Sequence, residues 1–178
     1  MKNIEVEIKT FISKEKYEEL LEFFRKNGKL IKEEHQETHY MNTQKDLRLQ
    51  KSNSSAKIWL KSGKIHDEMR EEIEVFFDKK DFPKMQHIFH NINIHPEIKW
   101  FRDRKQFDWE NIIVSLDYTK GYGYILELEK MCSEEEKLKA LEELKEKIKQ
   151  FNLPITPIER FNERFEYYKE NWRNLVEE

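Results

Sequence analysis

Cysteine is nearly missing from this chain. Cys132 stands alone among 178 residues, so no internal disulfide can form, and a reducing cytoplasm is the expected compartment. Its place just ahead of a helical stretch reads as an ordinary small residue, not a nucleophile. No basic-then-apolar segment leads the chain and no apolar run approaches membrane-spanning length, so neither secretion nor a membrane partner is expected. Without such a signal, the glycosylation match at Asn53-Ser54-Ser55 carries little weight. Glycines are scarce, and none builds a phosphate-cradling loop; nucleophile-elbow and zinc-ligand spacings are missing too. An excess of one charge is also lacking. Lys and Arg total 33 against 36 Asp and Glu, so no net field favours nucleic acid or a membrane surface. The cations do not gather with Trp59, Trp100 and Trp109 into a basic stripe, which speaks against RNA. No linker, repeat or low-complexity stretch interrupts residues 1–178, and one domain is expected.

What is present is dense, ordered charge: 39% of residues are Asp, Glu, Lys or Arg, and 13% are aromatic. Alternation marks strands near 4–9, 29–41, 47–49, 57–61, 70–77, 98–107, 112–117 and 122–130. Four helices are expected. Ser13 caps the first, which carries Tyr17, Leu20, Leu21, Phe23 and Phe24 and ends at Gly28. Asp81 and Pro83 open the second, with Met85, Ile88 and Phe89 inward. A Ser133/Glu136 capping box starts the third, with the stripe Leu138, Leu141, Leu144 and Ile148. The last follows Pro154 and Pro157 and carries Phe161, Phe165, Tyr168 and Trp172. Strand meanders dominate over βαβ units, so the class is α+β with a large antiparallel sheet.

Successive strand side chains point to opposite faces, so Glu5, Glu7 and Lys9 share a face opposite Ile4, Val6 and Ile8. The layout recurs in Glu72 and Glu74, and in Glu127 and Glu129, with Asp117 ending the strand before. Cations recur as Lys9, Arg48, Lys57 and Lys61, Arg70, and Arg102 with Arg104. A solvated face laced by cross-strand ion pairs would produce part of this pattern. It explains poorly the separation by sign and the long aliphatic opposite faces. A sheet closed into a barrel, with helices outside and charge inside, is the other solution. Such a lumen needs water, a polyanion beside the cations and a hard divalent cation beside the carboxylates, Mg²⁺ or Mn²⁺ in preference to Zn²⁺. His35 and His39 lie on an extended segment, and His87, His90 and His95 flank a helix end without ligand-spaced partners. They read as solvated or core residues.

Glu5-Val6-Glu7-Ile8-Lys9 resembles the ExExK signature of the CYTH superfamily, the triphosphate tunnel metalloenzymes. The likeness continues through Leu47-Arg48-Leu49, Trp59-Leu60-Lys61, Arg70-x-Glu72-x-Glu74, Arg102-x-Arg104, and Leu116-Asp117 followed by Glu127 and Glu129. It implies an eight-stranded antiparallel β-barrel, a triphosphate tunnel, with helices packed outside. Lys9, Arg48, Lys61, Arg70, Arg102 and Arg104 would then grip a small-molecule triphosphate. Glu5, Glu7, Asp117, Glu127 and Glu129 would hold Mg²⁺ or Mn²⁺, with Glu72 and Glu74 as further contributors. Glu5, Glu7 and Lys9 would stand at the catalytic centre. Arg102 departs from the Lys common in relatives, and the C-terminal segment matches only loosely through Arg160 and its aromatics. The resemblance leaves two reactions open, hydrolysis of a triphosphate and class IV adenylate cyclase chemistry. Hydrolysis is favoured, because cyclisation also needs a purine pocket that no stretch of the sequence marks. A non-catalytic polyphosphate- or nucleotide-binding module is a further alternative, opposed by the retained carboxylates. The expected state is a monomer or homodimer.

Overall fold

The computed structural model of the chain describes residues 4–61 and 72–177. In chain order the elements are β1 (Ile4–Ile12), α1 (Lys14–Asn27), β2 (Lys29–Met41), β3 (Asp46–Ser52), β4 (Ala56–Lys61), β5 (Glu72–Phe77), α2 (Phe82–Asn91), β6 (Pro96–Trp109), β7 (Ile112–Thr119), β8 (Gly123–Cys132), α3 (Lys137–Gln150) and α4 (Ile158–Val176). The strands form one eight-stranded sheet in the order β1-β8-β7-β6-β2-β3-β4-β5. It is antiparallel, and the four helices complete the expected α+β class.

The contacts divide the chain into two compact units, Met1–Glu33 with Asp103–Arg164 and Glu34–Arg102 with Phe165–Glu178. In the first, the apolar faces of the strands bury Val6, Ile8, Val114, Leu116, Leu126 and Leu128 under α1 and α3, which add Leu20, Phe24, Ala140, Leu144 and Ile148. Ser13 caps α1 as expected, its hydroxyl accepting from the Lys16 amide at 3.1 Å. Gly28 follows the helix for a different reason from a left-handed cap. Its backbone is extended, and a Cβ there would stand 3.1 Å from the Phe24 carbonyl and 3.3 Å from that of Asp108. Close approach to the sheet, not handedness, selects glycine. The β7–β8 turn does need handedness, since Gly121 and Gly123 hold φ of 74° and 122°.

In the second unit α2 lays Phe82 and Phe89 over Met41, Leu49 and Ala56. The expected inward residue Ile88 is instead 52% exposed, and on α3 Leu138 is 77% exposed while Ala140 is buried. Periodicity locates a helical stripe but not its centre, and on α3 the buried residues are Ala140, Leu144 and Ile148. The Ser133/Glu136 capping box is present, but it heads a short 3₁₀ turn at 134–136 that leads into α3.

Helix α4 serves both units. In the first, Phe161 stacks on Phe11 at 4.4 Å, and the Arg164 Nε donates to the Tyr122 carbonyl at 2.8 Å. In the second, the Tyr168 hydroxyl donates to the Lys99 carbonyl and the Trp172 indole to that of Glu97.

Candidate functional site

Strand register decides which charges meet. In the first unit the β1–β8 ladder sets Glu7 opposite Glu129 and Lys9 opposite Glu127, and the β7–β8 ladder sets Ser115 opposite Glu127. Directly opposed like charges destabilise a sheet, so the Glu7/Glu129 pair is a cost borne by the fold. Its consequence is visible in Glu129. Burial, and then the neighbouring Glu5, Glu127 and Glu7, push this carboxyl up to about 7, against the pull of Arg104. Lys9 reaches the Glu7 carboxylate at 3.1 Å, and its ammonium stands 5.7 Å from the centre of the Phe161 ring.

Arg104 anchors the other side of this face. Its Nε donates to Asp117 Oδ1 at 2.8 Å and its Nη2 to Asp117 Oδ2 at 2.6 Å, with Glu127 Oε1 at 3.2 Å. Burial alone disfavours the guanidinium charge, yet Asp117 and Glu127 outweigh it and raise the Arg104 pKa. The expectation split these residues between a phosphate grip and a metal site; the structure joins them as one ion-paired group. Gln106 completes the row by donating to the Ser115 hydroxyl at 3.0 Å.

In the second unit Arg48 is clamped by Asp46, Nε to Oδ1 at 2.7 Å and Nη2 to Oδ2 at 2.5 Å. The register places Tyr40 and Trp59 on either side, and the guanidinium lies 4.3 Å from the Tyr40 ring centre. Lys57 pairs with Glu74 at 2.6 Å and lies 4.6 Å from the Trp59 ring centre. Arg102 donates its Nε to Gln36 Oε1 at 2.8 Å. Lys61 and Glu72 are register partners on β4 and β5. Arg70 lies outside the described residues, as do the side chains of Lys61 and Glu72.

Several residues on these faces escaped the sequence reading. Asp46, Gln36, Gln50 and Thr38 are polar neighbours of the expected cations, and Phe161 comes from the C-terminal helix. Asp46 was readable, being two residues from Arg48 on the same strand. Gln36, Gln50 and Thr38 are uncharged and meet their partners only through pairing across the sheet, and Phe161 arrives through packing of the helix.

The carboxylates of the first unit offer hard oxygen donors, crowded enough to hold one of them protonated near neutrality. That chemistry fits a divalent cation that shares phosphate oxygens, since Mg²⁺ needs only one or two carboxylates besides its substrate and waters. As the side chains stand, no three His, Cys, Asp or Glu among the described residues converge into a preformed metal cage. The histidines follow expectation. His39 is buried and hydrogen-bonded to Glu37 at 2.6 Å, while His87, His90 and His95 are exposed around a pocket of about 350 Å³ beside α2. No helix among the described residues is long and apolar enough to cross a membrane.

Comparison with known proteins identifies the family and the fold. A Methanocaldococcus jannaschii protein carrying the name "putative adenylate cyclase" is 35% identical over 162 residues, covering 84% of this chain and 90% of that protein. The fold matches a Pyrococcus furiosus conserved hypothetical protein with a TM-score of 0.68 at 21% identity, over 84% of this chain and 91% of the other. It also matches a Hippeastrum "putative adenylyl cyclase" described as having a dominant triphosphatase activity, with a TM-score of 0.63 at 19% identity, over 86% and 89%. The model of the CYTH domain matches residues 3–157. The chain belongs to the CYTH family, whose members are adenylate cyclase or triphosphatase enzymes.

Proposed function

We propose that this chain is a divalent-metal-dependent hydrolase of a triphosphate: inorganic tripolyphosphate, thiamine triphosphate or a nucleoside triphosphate. The observation that carries this reading is the like-charge crowding around Glu129, flanked by Lys9 and Arg104 on the same face. A sheet that needed only stability would not set Glu7 against Glu129. The arrangement suits a ligand that brings positive charge to the carboxylates and negative charge to the cations.

In this reading Lys9, Arg48, Lys61, Arg70, Arg102 and Arg104 hold phosphate oxygens. Glu5, Glu7, Asp117, Glu127 and Glu129, with Glu72 and Glu74 as further donors, hold Mg²⁺ or Mn²⁺. When bound, the cation supplies Lewis-acid stabilisation of the phosphoryl oxygens and acidifies the attacking water. Water adds to the terminal phosphorus, the bond to the bridging oxygen breaks, and phosphate and diphosphate leave. Lys9 and the arginines stabilise the charge that develops on the departing diphosphate, and they align the phosphate chain for in-line attack. Residues 1–178 act as one CYTH domain, a monomer or homodimer in a reducing cytoplasm, with neither nucleic acid nor membrane as partner.

The name of the Methanocaldococcus relative favours a second reading, in which the ribose 3′-hydroxyl of ATP attacks the α-phosphorus to give cyclic AMP and pyrophosphate. A cyclase name alone does not decide between them, given the triphosphatase activity described for the Hippeastrum protein. The deciding test incubates the protein with ATP, thiamine triphosphate and tripolyphosphate, each with Mg²⁺ or Mn²⁺, and resolves the products. Orthophosphate release is the expected result, falling roughly 100-fold or more in a Glu5→Gln, Glu7→Gln variant. Cyclic AMP with pyrophosphate from ATP overturns hydrolysis in favour of cyclisation. Absence of turnover, with triphosphate binding unchanged in the variant, overturns the enzyme.

A further inference from the structure

The second unit contains a chain of hydrogen bonds that ends on Arg102. The Ser54 hydroxyl, in the hairpin loop between β3 and β4, donates to Glu34 Oε1 at 2.8 Å. Ser52 lies 3.2 Å from the same oxygen. The Gln36 amide donates through Nε2 to Glu34 Oε2 at 2.7 Å, and its Oε1 accepts from the Arg102 Nε at 2.8 Å. Glu34 is 3% exposed and Gln36 is 9% exposed.

Chemistry fixes the direction of this chain. An ionised carboxylate only accepts and a guanidinium only donates, so an amide joining them has a single satisfied orientation. Gln36 must turn its nitrogen to Glu34 and its oxygen to Arg102. Glu34 is costly as a buried carboxylate, and its separate contacts to the loop serines and Gln36 offset that cost. A structural carboxylate needs no such coupling to an arginine 66 to 68 residues away in sequence. Holding Arg102 by its Nε edge fixes the plane of the guanidinium and the direction of its terminal nitrogens. Orientation matters for an arginine far more than for a lysine, because its donors form a rigid planar fork.

We propose that Glu34 and Gln36 are positioning residues that aim Arg102 at the triphosphate, tied down by the serines of the β3–β4 loop. The proposal rests on the phosphate role given to Arg102 above. Its test is a double-mutant cycle read by calorimetric titration of tripolyphosphate in EDTA. Gln36→Met keeps the length of the side chain and deletes both hydrogen bonds. It is expected to raise the Kd about tenfold in the wild-type background and less than twofold in an Arg102→Ala background. Ser54→Ala removes one of the bonds that offset the burial of Glu34, and is expected to raise the Kd about twofold in the wild-type background and to leave it unchanged in the Arg102→Ala background. The same rise for Gln36→Met in both backgrounds overturns the positioning role while leaving the phosphate grip intact. An unchanged Kd in Arg102→Ala alone overturns the grip of Arg102, and the positioning role with it.

Discussion

On the charged face of the first unit, carboxylate stands against carboxylate: Glu7 opposes Glu129, and Glu127 and Asp117 both bind Arg104. On the charged face of the second unit, the cations have acceptors of their own, Asp46 for Arg48, Glu74 for Lys57 and Gln36 for Arg102. The first arrangement raises the energy of the empty fold, and the second lowers it. Charge that is crowded against its own kind needs a ligand to be repaid, whereas charge that is paired sets the direction of a side chain in advance.

Removing Arg104 should produce the largest effect, because it takes an ion-pair partner from buried Asp117, 3% exposed, and from Glu127, whose side chain is 15% exposed. Breaking a buried pair in this way costs about 3–5 kcal/mol. Arg104→Ala is expected to lower denaturant stability by that amount and to weaken tripolyphosphate binding far more than Lys2→Ala does. Equal binding by the two variants would show that Arg104 is only structural.

Glu129 and Glu37 sharpen the comparison through pH, because their environments push them in opposite directions. On the apolar side of the second unit, Glu37 accepts from buried His39 and lies 2.8 Å from Lys51. The His39 hydrogen bond, against the cost of burial and aided by Lys51, brings this carboxyl from its ordinary 4.5 down to about 2. A carboxyl depressed in the fold stabilises it above pH 4.5, and that contribution disappears as pH falls toward 2. Glu37→Gln is expected to cost about 2–3 kcal/mol at pH 7 and almost nothing near pH 2. Glu129 is the reverse. Its carboxyl rises from 4.5 to about 7, so the folded state binds the extra proton and loses stability as pH climbs through that window. Glu129→Gln is expected to stabilise the metal-free protein by about 1–2 kcal/mol at pH 8, to leave it unchanged at pH 4, and to abolish turnover. Chemical denaturation at these four pH values reads both slopes, and parallel slopes would refute the contrast.

How much of this was legible beforehand depended on the range of the interaction. Alternation within one strand is local, so Glu5-x-Glu7-x-Lys9, Arg102-x-Arg104 and Glu127-x-Glu129 could be read directly, along with the α+β class. The opposition of Glu7 to Glu129 is a matter of register across 122 residues, and no local pattern encodes it. Gln36 was invisible for a second reason: a neutral amide on a strand resembles any solvated residue until its partners are known. Asp46 was passed over although it lies two residues from Arg48, because a carboxylate among cations contradicts a simple sorting by sign. The aromatic-rich last helix was legible from Phe161, Phe165, Tyr168 and Trp172, and the structure buries all four. That Phe161 sits beside Lys9 followed from packing alone.

The smallest effect belongs to Lys57, and it separates the energetic role of a pair from its directional one. The Lys57–Glu74 contact is short at 2.6 Å, but its side chains retain 24% and 37% of their exposure. Water screens such a pair, and it contributes less than about 1 kcal/mol to folding. Lys57→Met should keep the stem that packs on Trp59 and shift stability by about 0.5 kcal/mol or less. If Lys57 adds to the phosphate-facing charge of the second unit, the same variant raises the tripolyphosphate Kd about threefold at low salt, and the difference fades as ionic strength rises. A stability loss with no change in Kd would place Lys57 among the structural charges and outside the anion-binding set.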